Sequence, residues 1–390
     1  MIGISKLYCG TVEASDPLRY GRSSSTLPSH LLQFSNDKKP VIVWNVTSKC
    51  NLRCVHCYAA TQGPQQELSN KQGASLLAHL ADYGVPVVLF SGGEPLVRED
   101  LPDLIGQTTK TKMRAVISTN GTLITRDMAM RLADLGLSYI GVSLDGMQET
   151  NDTFRGLDGA FASALRGIYN AMHAGIKVGL RFTMHKGNVE EIPNIFDLME
   201  SEGIPRICFY HLVYTGRAKE LMEEDLSHEQ TRETLNLIMN RTREMVERGF
   251  NAEVLTVDNH ADGPYVYLRM LAQNNPHAAD TLELLKMNGG NSSGLGIGCI
   301  NWSGEVYPDQ FWRHHVLGNV THRPFSEIWD DPDNEFLQQL KNKKDHVKGR
   351  CRTCRWLDVC AGNFRARAEA ATDDPWGEDP ACYLSDEEIS

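Results

Sequence analysis

No stretch of this 390-residue sequence stays apolar long enough to cross a bilayer. The longest strongly apolar run, Val85 to Phe90, falls far short of the ~18 residues a spanning helix needs. The beginning of the chain lacks a basic segment followed by an apolar one, the pattern of a secretory leader. The expectation is a soluble, cytoplasmic protein with no membrane partner. Positive charge is also scarce: 39 Lys and Arg against 50 Asp and Glu leave a formal net charge of −11. Such a balance does not supply the basic surface that neutralises nucleic-acid phosphates, so a nucleic-acid partner is not expected. There is no internal repeat and no low-complexity tract. The 41% hydrophobic and 23% charged residues that remain are ordinary for a globular protein with a substantial core.

The ten cysteines are unevenly placed. Three fall close together, Cys50, Cys54 and Cys57, and four more close the chain, Cys351, Cys354, Cys360 and Cys382. A disulfide framework belongs to short secreted chains, so metal or iron–sulfur ligation is the better reading of these spacings. Cys9, Cys208 and Cys299 stand apart, and Cys208, inside an apolar run, reads as a core residue.

From residue 40 onward, short β-rich runs alternate with segments of helical apolar spacing, which predicts an α/β fold. The strand candidates are Val41–Val46, Val85–Ser91, Arg114–Ser118, Tyr139–Leu144, Lys177–Thr183 and Arg206–Val213. Nearly continuous apolar strands separated by helices imply a parallel sheet buried on both faces. Six such units suggest a partly open (β/α)6 barrel, whose active site gathers at the C-terminal ends of the strands. After Thr215 the pattern turns helical. The expected division is 1–39 as an N-terminal segment, 40–216 as the barrel, 217–298 as a helical linker and 299–390 as a C-terminal extension. Within that extension a hairpin is expected around Ser303 and Gly304, and one helix from about Phe325 to Leu340. Lys341 to Lys344 read as a solvated helix end.

The segment from Thr47 to Tyr58 follows the first predicted strand directly. Its three thiolates, spaced CxxxCxxC, can hold three irons of a four-iron cluster and leave the fourth open to a ligand. A zinc or purely electron-transferring site is the alternative. Ser91, Gly92, Gly93, Glu94 and Pro95 end the second strand, Ser118 and Asn120 the third, and Ser143 and Asp145 the fourth; Arg181 lies on the fifth. The C-terminal cysteines read CxxC, then Cys360 and Cys382. Four thiolates complete a closed cluster, with a four-cysteine zinc site as the alternative.

In this order the motifs resemble the radical S-adenosylmethionine (SAM) superfamily. The resemblance implies that the open iron on Cys50, Cys54 and Cys57 chelates SAM, which is cleaved reductively to methionine and a 5′-deoxyadenosyl radical. It implies that Glu94 and the Gly92–Gly93 backbone face the SAM ammonium, that Ser118, Asn120, Ser143 and Asp145 reach towards the ribose, and that Arg181 pairs with the SAM carboxylate through its planar fork. The C-terminal cysteines resemble the SPASM/twitch extension, whose full form carries two auxiliary clusters. Asp309 and Phe364 stand where two cysteines of that form are expected, so one auxiliary cluster is implied, giving two [4Fe-4S] clusters in all. Cys299 is either a remnant ligand or an ordinary core cysteine, the latter being the better reading.

Further segments resemble the radical SAM enzymes of modified-haem synthesis: Trp44 and Asn45, 258–263, 307–312, 317–320 and 378–384. Those enzymes act on didecarboxysiroheme, one branch removing two acetate side chains to give Fe-coproporphyrin III, and a relative in haem d1 synthesis removing propionates. The opening residues 1–10 and 16–20 look more like the deacetylating branch. The resemblance implies an iron-tetrapyrrole substrate and an electron donor such as flavodoxin or ferredoxin. With Asp309 and Phe364 in place of ligands, the volume of the missing cluster is expected to be vacant and to take the macrocycle. Arg313, His314, His315, Arg323 and Arg365, with Arg367, would then form a rim for its carboxylates. A peptide-maturing enzyme would share both cysteine clusters, but about forty residues before the first strand are too few for a separate peptide-recognition domain. An electron-carrying scaffold would not need Glu94, Ser118, Asn120 or Arg181.

Overall fold

The computed structural model describes residues 1–11, 39–60 and 66–390. Eleven strands form one sheet. They are β1 (Ile2–Gly3), β2 (Val41–Thr47), β3 (Val87–Gly92), β4 (Arg114–Thr119), β5 (Tyr139–Ser143), β6 (Val178–Met184), β7 (Arg206–His211), β8 (Glu253–Val257), β9 (Ile297–Ile300), β10 (Glu305–Tyr307) and β11 (Gly318–Asn319). The order across the sheet is β1-β8-β7-β6-β5-β4-β3-β2-β9-β10-β11. Strands β2 to β8 pair in parallel, each with the next in sequence. The six strands expected from the apolar runs are present within a few residues of their predicted bounds, as β2 to β7. Their outward residues, such as Phe90, Ile117, Ile140, Leu180 and Phe209, face away from the barrel interior and are fully buried.

Among the described residues the sheet does not close. The free edge of β8 is covered by β1 running antiparallel, and β2 pairs on its outer side with β9 in parallel. Residues 217–298 are therefore more than a helical linker. Glu253–Val257 is a short, wholly buried strand that adds a seventh parallel neighbour, and β9 begins before residue 299. Five residues were too few to stand out against the long helix His228–Glu247, itself started by a Ser227/Gln230 capping box.

In the extension, β9 and β10 form the expected hairpin. The single helix expected from Phe325 is two, Phe325–Trp329 and Glu335–Lys341. Pro332 between them removes a backbone donor, and Asn334 caps the second through a bond from Leu337 N. The lysine run is not a solvated end. Lys343 is buried, and its ammonium donates to the carbonyls of Asn291 and Ser293 at 3.0 and 3.2 Å. Burial pushes it down to about 7. Cys208 and Cys299 are core residues, Cys208 beside Leu255 and Cys299 beside Val43 and Tyr307. No helix among the described residues is long and apolar enough to cross a membrane.

Candidate active site

The cysteine loop leaves the C-terminal end of β2, where the ends of neighbouring strands fix it. Gly93 N donates to Thr47 O at 2.9 Å and Glu94 N to Lys49 O at 2.8 Å. A Cβ on Gly92 would meet Thr47 O at 2.4 Å, and one on Gly93 would meet Lys49 O at 2.1 Å. Only glycine lets these two backbones lie so close. From the other side, Arg53 N and Val55 N donate to the carbonyls of Arg155 and Phe154. After β7, Arg217 N donates to Cys57 O at 3.1 Å while its Nε donates to Cys54 O at 2.8 Å.

Held in this way, Cys50, Cys54 and Cys57 line one cavity of ≈ 270 Å³ together with Gly92, Gly93, Ser118, Asn120 and Ser143. Among the described residues no carboxylate lines it, and Arg155 and Arg217 do. Burial pushes the Cys50 thiol up to about 11 and raises Cys57 as well. Thiols lining one cavity whose desolvation opposes ionisation suit a metal cluster, which supplies the positive charge a thiolate needs. His56, stacked on Phe154 at 4.5 Å, is pushed down to about 3 by burial and stays neutral.

Two of the expected site residues stand behind the wall of this cavity. The Glu94 carboxylate is fully buried and accepts from Leu96 N, Thr119 Oγ1 and Asn120 N at 3.1, 2.6 and 2.8 Å. It locks the glycine turn to the end of β4. Asp145 is likewise buried; it accepts from Thr183 N at 2.6 Å and pairs with Arg155. Arg181 does not line the cysteine cavity but a second, adjoining one. Arg155, Arg217, His56 and Tyr58 were missed. Their signal was position, since each lies beside the cysteines or shortly after a strand's C-terminal end, and two carry the positive charge a thiolate-rich site attracts.

All four C-terminal cysteines, Cys351, Cys354, Cys360 and Cys382, line a single cavity closed by Leu357, Leu384 and Ile389. Burial pushes Cys360 up to about 12 and Cys382 to about 11. A tetrahedral zinc ion, with Zn–S near 2.3 Å, would bring its sulfurs to about 3.8 Å of one another. Among the described residues only His314, His315 and Glu369 bring three possible ligand atoms mutually within 4.8 Å. Neither cysteine set is drawn in as tightly as a single zinc ion would require.

The expected tetrapyrrole rim is not assembled. Phe364 packs with Val213, Trp312 and Trp376 and meets Phe311 edge-on at 5.5 Å, so its side chain belongs to a small apolar cluster. Asp309 turns inward to accept from Ser293 Oγ, Phe311 N and Trp312 N at 2.5, 2.8 and 3.1 Å. Arg365 is fully buried on the carbonyls of Pro375, Gly377 and Gly362. Arg367 makes a two-pronged pair with Asp379 at 2.8 and 2.9 Å. Arg323 pairs with Asp331 near the surface. His314 and His315 both face Glu369 at 2.9 Å. Arg313 alone of the group touches the cysteine loop, lying 4.6 Å over Trp302 with Nη1 3.5 Å from Tyr58 O.

Comparison with known proteins agrees with this architecture. The radical SAM superfamily model matches residues 44–199, and the SPASM iron–sulfur cluster-binding domain matches residues 296–355. The chain is 61% identical over 394 residues to Fe-coproporphyrin III synthase of Methanosarcina barkeri, covering 100% of this chain and 99% of that one. The chain belongs to the radical SAM superfamily. Pre-heme d1 synthase of Dinoroseobacter shibae is 41% identical over 352 residues, 89% of this radical SAM chain and 87% of its own. Among solved structures, native anSMEcpe with bound AdoMet superposes with a TM-score of 0.69 over 90% of this chain and 95% of that one, at 19% identity, which shows a shared fold. As a radical SAM enzyme with a SPASM domain, the protein uses SAM and iron–sulfur clusters of the [4Fe-4S] type.

Proposed function

We propose that this radical SAM enzyme acts in haem biosynthesis, removing two acetate side chains from didecarboxysiroheme to give Fe-coproporphyrin III. The observation that carries the reading is the 61% identity, over the whole of both chains, to Fe-coproporphyrin III synthase. In this reading Cys50, Cys54 and Cys57 hold the SAM-binding cluster, and Cys351, Cys354, Cys360 and Cys382 hold the auxiliary one. When bound, the first cluster with SAM supplies reductive cleavage to a carbon-centred radical.

The chain's own residues do the positioning. Gly92 and Gly93 give SAM a close backbone approach, Ser118, Asn120 and Ser143 offer polar side chains on the same cavity wall, and Arg155 brings a guanidinium nitrogen to 3.5 Å from the Cys54 sulfur. Neutral His56, with Phe154 and His185 stacked behind it, presents a flat face beside Cys57. A cytoplasmic flavodoxin or ferredoxin is the electron donor in this reading.

Anaerobic incubation of the cluster-reconstituted protein with SAM, reductant and didecarboxysiroheme, followed by mass analysis, tests it. Loss of two acetate groups is expected. Loss of propionates would place the chain with pre-heme d1 synthase instead, and an unchanged tetrapyrrole beside continuing SAM cleavage would remove the substrate assignment.

A further inference from the structure

The cysteine-lined cavity has an inner neighbour. A second cavity of ≈ 120 Å³ adjoins it, sharing His56, Tyr58, Ser91, Ser118, Ser143 and Arg155, and its own wall includes Arg181, Tyr210 and Asp258. Arg181 projects from the middle of β6 into the barrel. Its guanidinium lies 5.7 Å from the Tyr210 ring, and its Nε is buried with no hydrogen-bond partner. The groups acting most strongly on it are the phenols of Tyr210, Tyr139 and Tyr58 and the Cys208 thiol; no carboxylate among the described residues pairs with it. An enclosed guanidinium without a counter-ion carries a large desolvation cost, which an anionic ligand group would offset.

Two strands further along the same wall, a second group suits such a ligand. Asp258, at the end of β8, has an unpartnered buried Oδ2 and a backbone φ of 66°, a region that non-glycine residues rarely adopt. Burial pushes its carboxyl up to about 7, so its protonated form is available as a donor near neutral pH. Size then limits what enters. An apolar cavity of ~150 Å³ holds one benzene, so ≈ 120 Å³ suits a group of a few heavy atoms.

We propose that the inner cavity receives one carboxylate-bearing side chain of the substrate, with Arg181 as its counter-ion and Tyr210 and Asp258 as flanking hydrogen-bond donors, while the macrocycle stays outside. This rests on the reading that the substrate is a carboxylated tetrapyrrole, and it moves Arg181 from the SAM carboxylate to the substrate.

The test titrates the cluster-reconstituted protein by visible absorption with didecarboxysiroheme and with its methyl ester, in which every carboxylate is masked, and measures SAM binding in parallel. Wild type should prefer the free acid. Arg181→Gln should lose about tenfold of that preference, the scale of one hydrogen-bonded charge, while Arg181→Lys keeps part of it and SAM affinity stays within about twofold of wild type. A full free-acid preference in Arg181→Gln overturns the proposal. So does a tenfold loss of SAM affinity, which would return Arg181 to SAM. If Arg181→Gln does not take up its clusters, Tyr210→Phe reads the same cavity: weaker free-acid binding with unchanged ester binding is expected, and no change in either overturns the assignment. Wild type binding neither form would instead remove the underlying substrate reading, and that outcome is visible before any variant is made.

Discussion

Nη1 of Arg155 lies 3.5 Å from Sγ of Cys54, and the other arm of the same guanidinium pairs with the fully buried carboxylate of Asp145. Asp145, expected at the ribose, is a positioning residue that holds a cation against the middle cysteine. A positive charge beside a cluster sulfur favours the reduced cluster, which carries one more negative charge.

Removing that charge should make the SAM-binding cluster harder to reduce. Arg155→Gln is expected to lower its potential by roughly 60 mV, the one-electron equivalent of a tenfold change in equilibrium. Because the single variant leaves Asp145 buried without its partner, the Asp145→Asn/Arg155→Gln pair is the control that separates charge from misfolding. EPR-monitored titration of the reduced cluster reads the shift, and an unchanged potential in both variants would show that Arg155 does not act on the cluster.

Cys54→Ala should abolish 5′-deoxyadenosine formation and leave the C-terminal cluster in place, since the two cysteine sets line separate cavities. With one of two four-iron sites lost, iron per chain should fall by about half. Iron assay with chromatography of the SAM products decides it, and SAM cleavage at the wild-type rate would contradict the ligand assignment.

Cys354→Ala is expected to keep some SAM cleavage but not to complete the tetrapyrrole reaction, because Cys354 lines the auxiliary cavity and not the SAM side. Full product yield from a variant proven to lack the second cluster would exclude an essential electron-transfer role for it.

Glu369 gives the fold an acid-sensitive joint. Burial pushes its carboxyl up, but donors from His315, Trp312 and His314 outweigh burial and bring it to about 2, against an ordinary 4.5. A carboxyl depressed in the folded state contributes stability that is fully present above its unfolded value and is lost as pH falls through the folded one. That contribution should therefore fade between pH 4.5 and about 2. The difference in Tm between wild type and Glu369→Gln, largest near neutral pH, should narrow as pH falls from 4.5 towards about 2; a constant difference would contradict the linkage.

The strands and the two cysteine sets were legible because their signals are local. Apolar runs such as Val87 to Phe90 mark a strand without reference to any other part of the chain, and the CxxxCxxC spacing after β2 marks a cluster loop by itself. What each polar residue does once placed was less legible. Arg365 and Arg367 stand beside a lost ligand position, yet the fold buries both, one on backbone carbonyls and one on Asp379. His314 and His315 meet Glu369, a residue 54 positions or more away that no spacing rule connects to them.

The sequence by itself determined the alternating β/α order, the residues that belong in the core, and the grouping of seven cysteines into a set of three and a set of four, because periodicity and ligand spacing act over a few residues. Only the tertiary structure decided that β8 extends the sheet, that Arg155 and not Arg181 stands beside Cys54, that Phe364 packs into an apolar cluster with Trp312 and Trp376, and that Arg181 and Asp258 share an inner cavity. Each of these depends on which side chains from distant strands reach one enclosed space. In that space the cost of an unpaired charge, which no local pattern encodes, settles who partners whom.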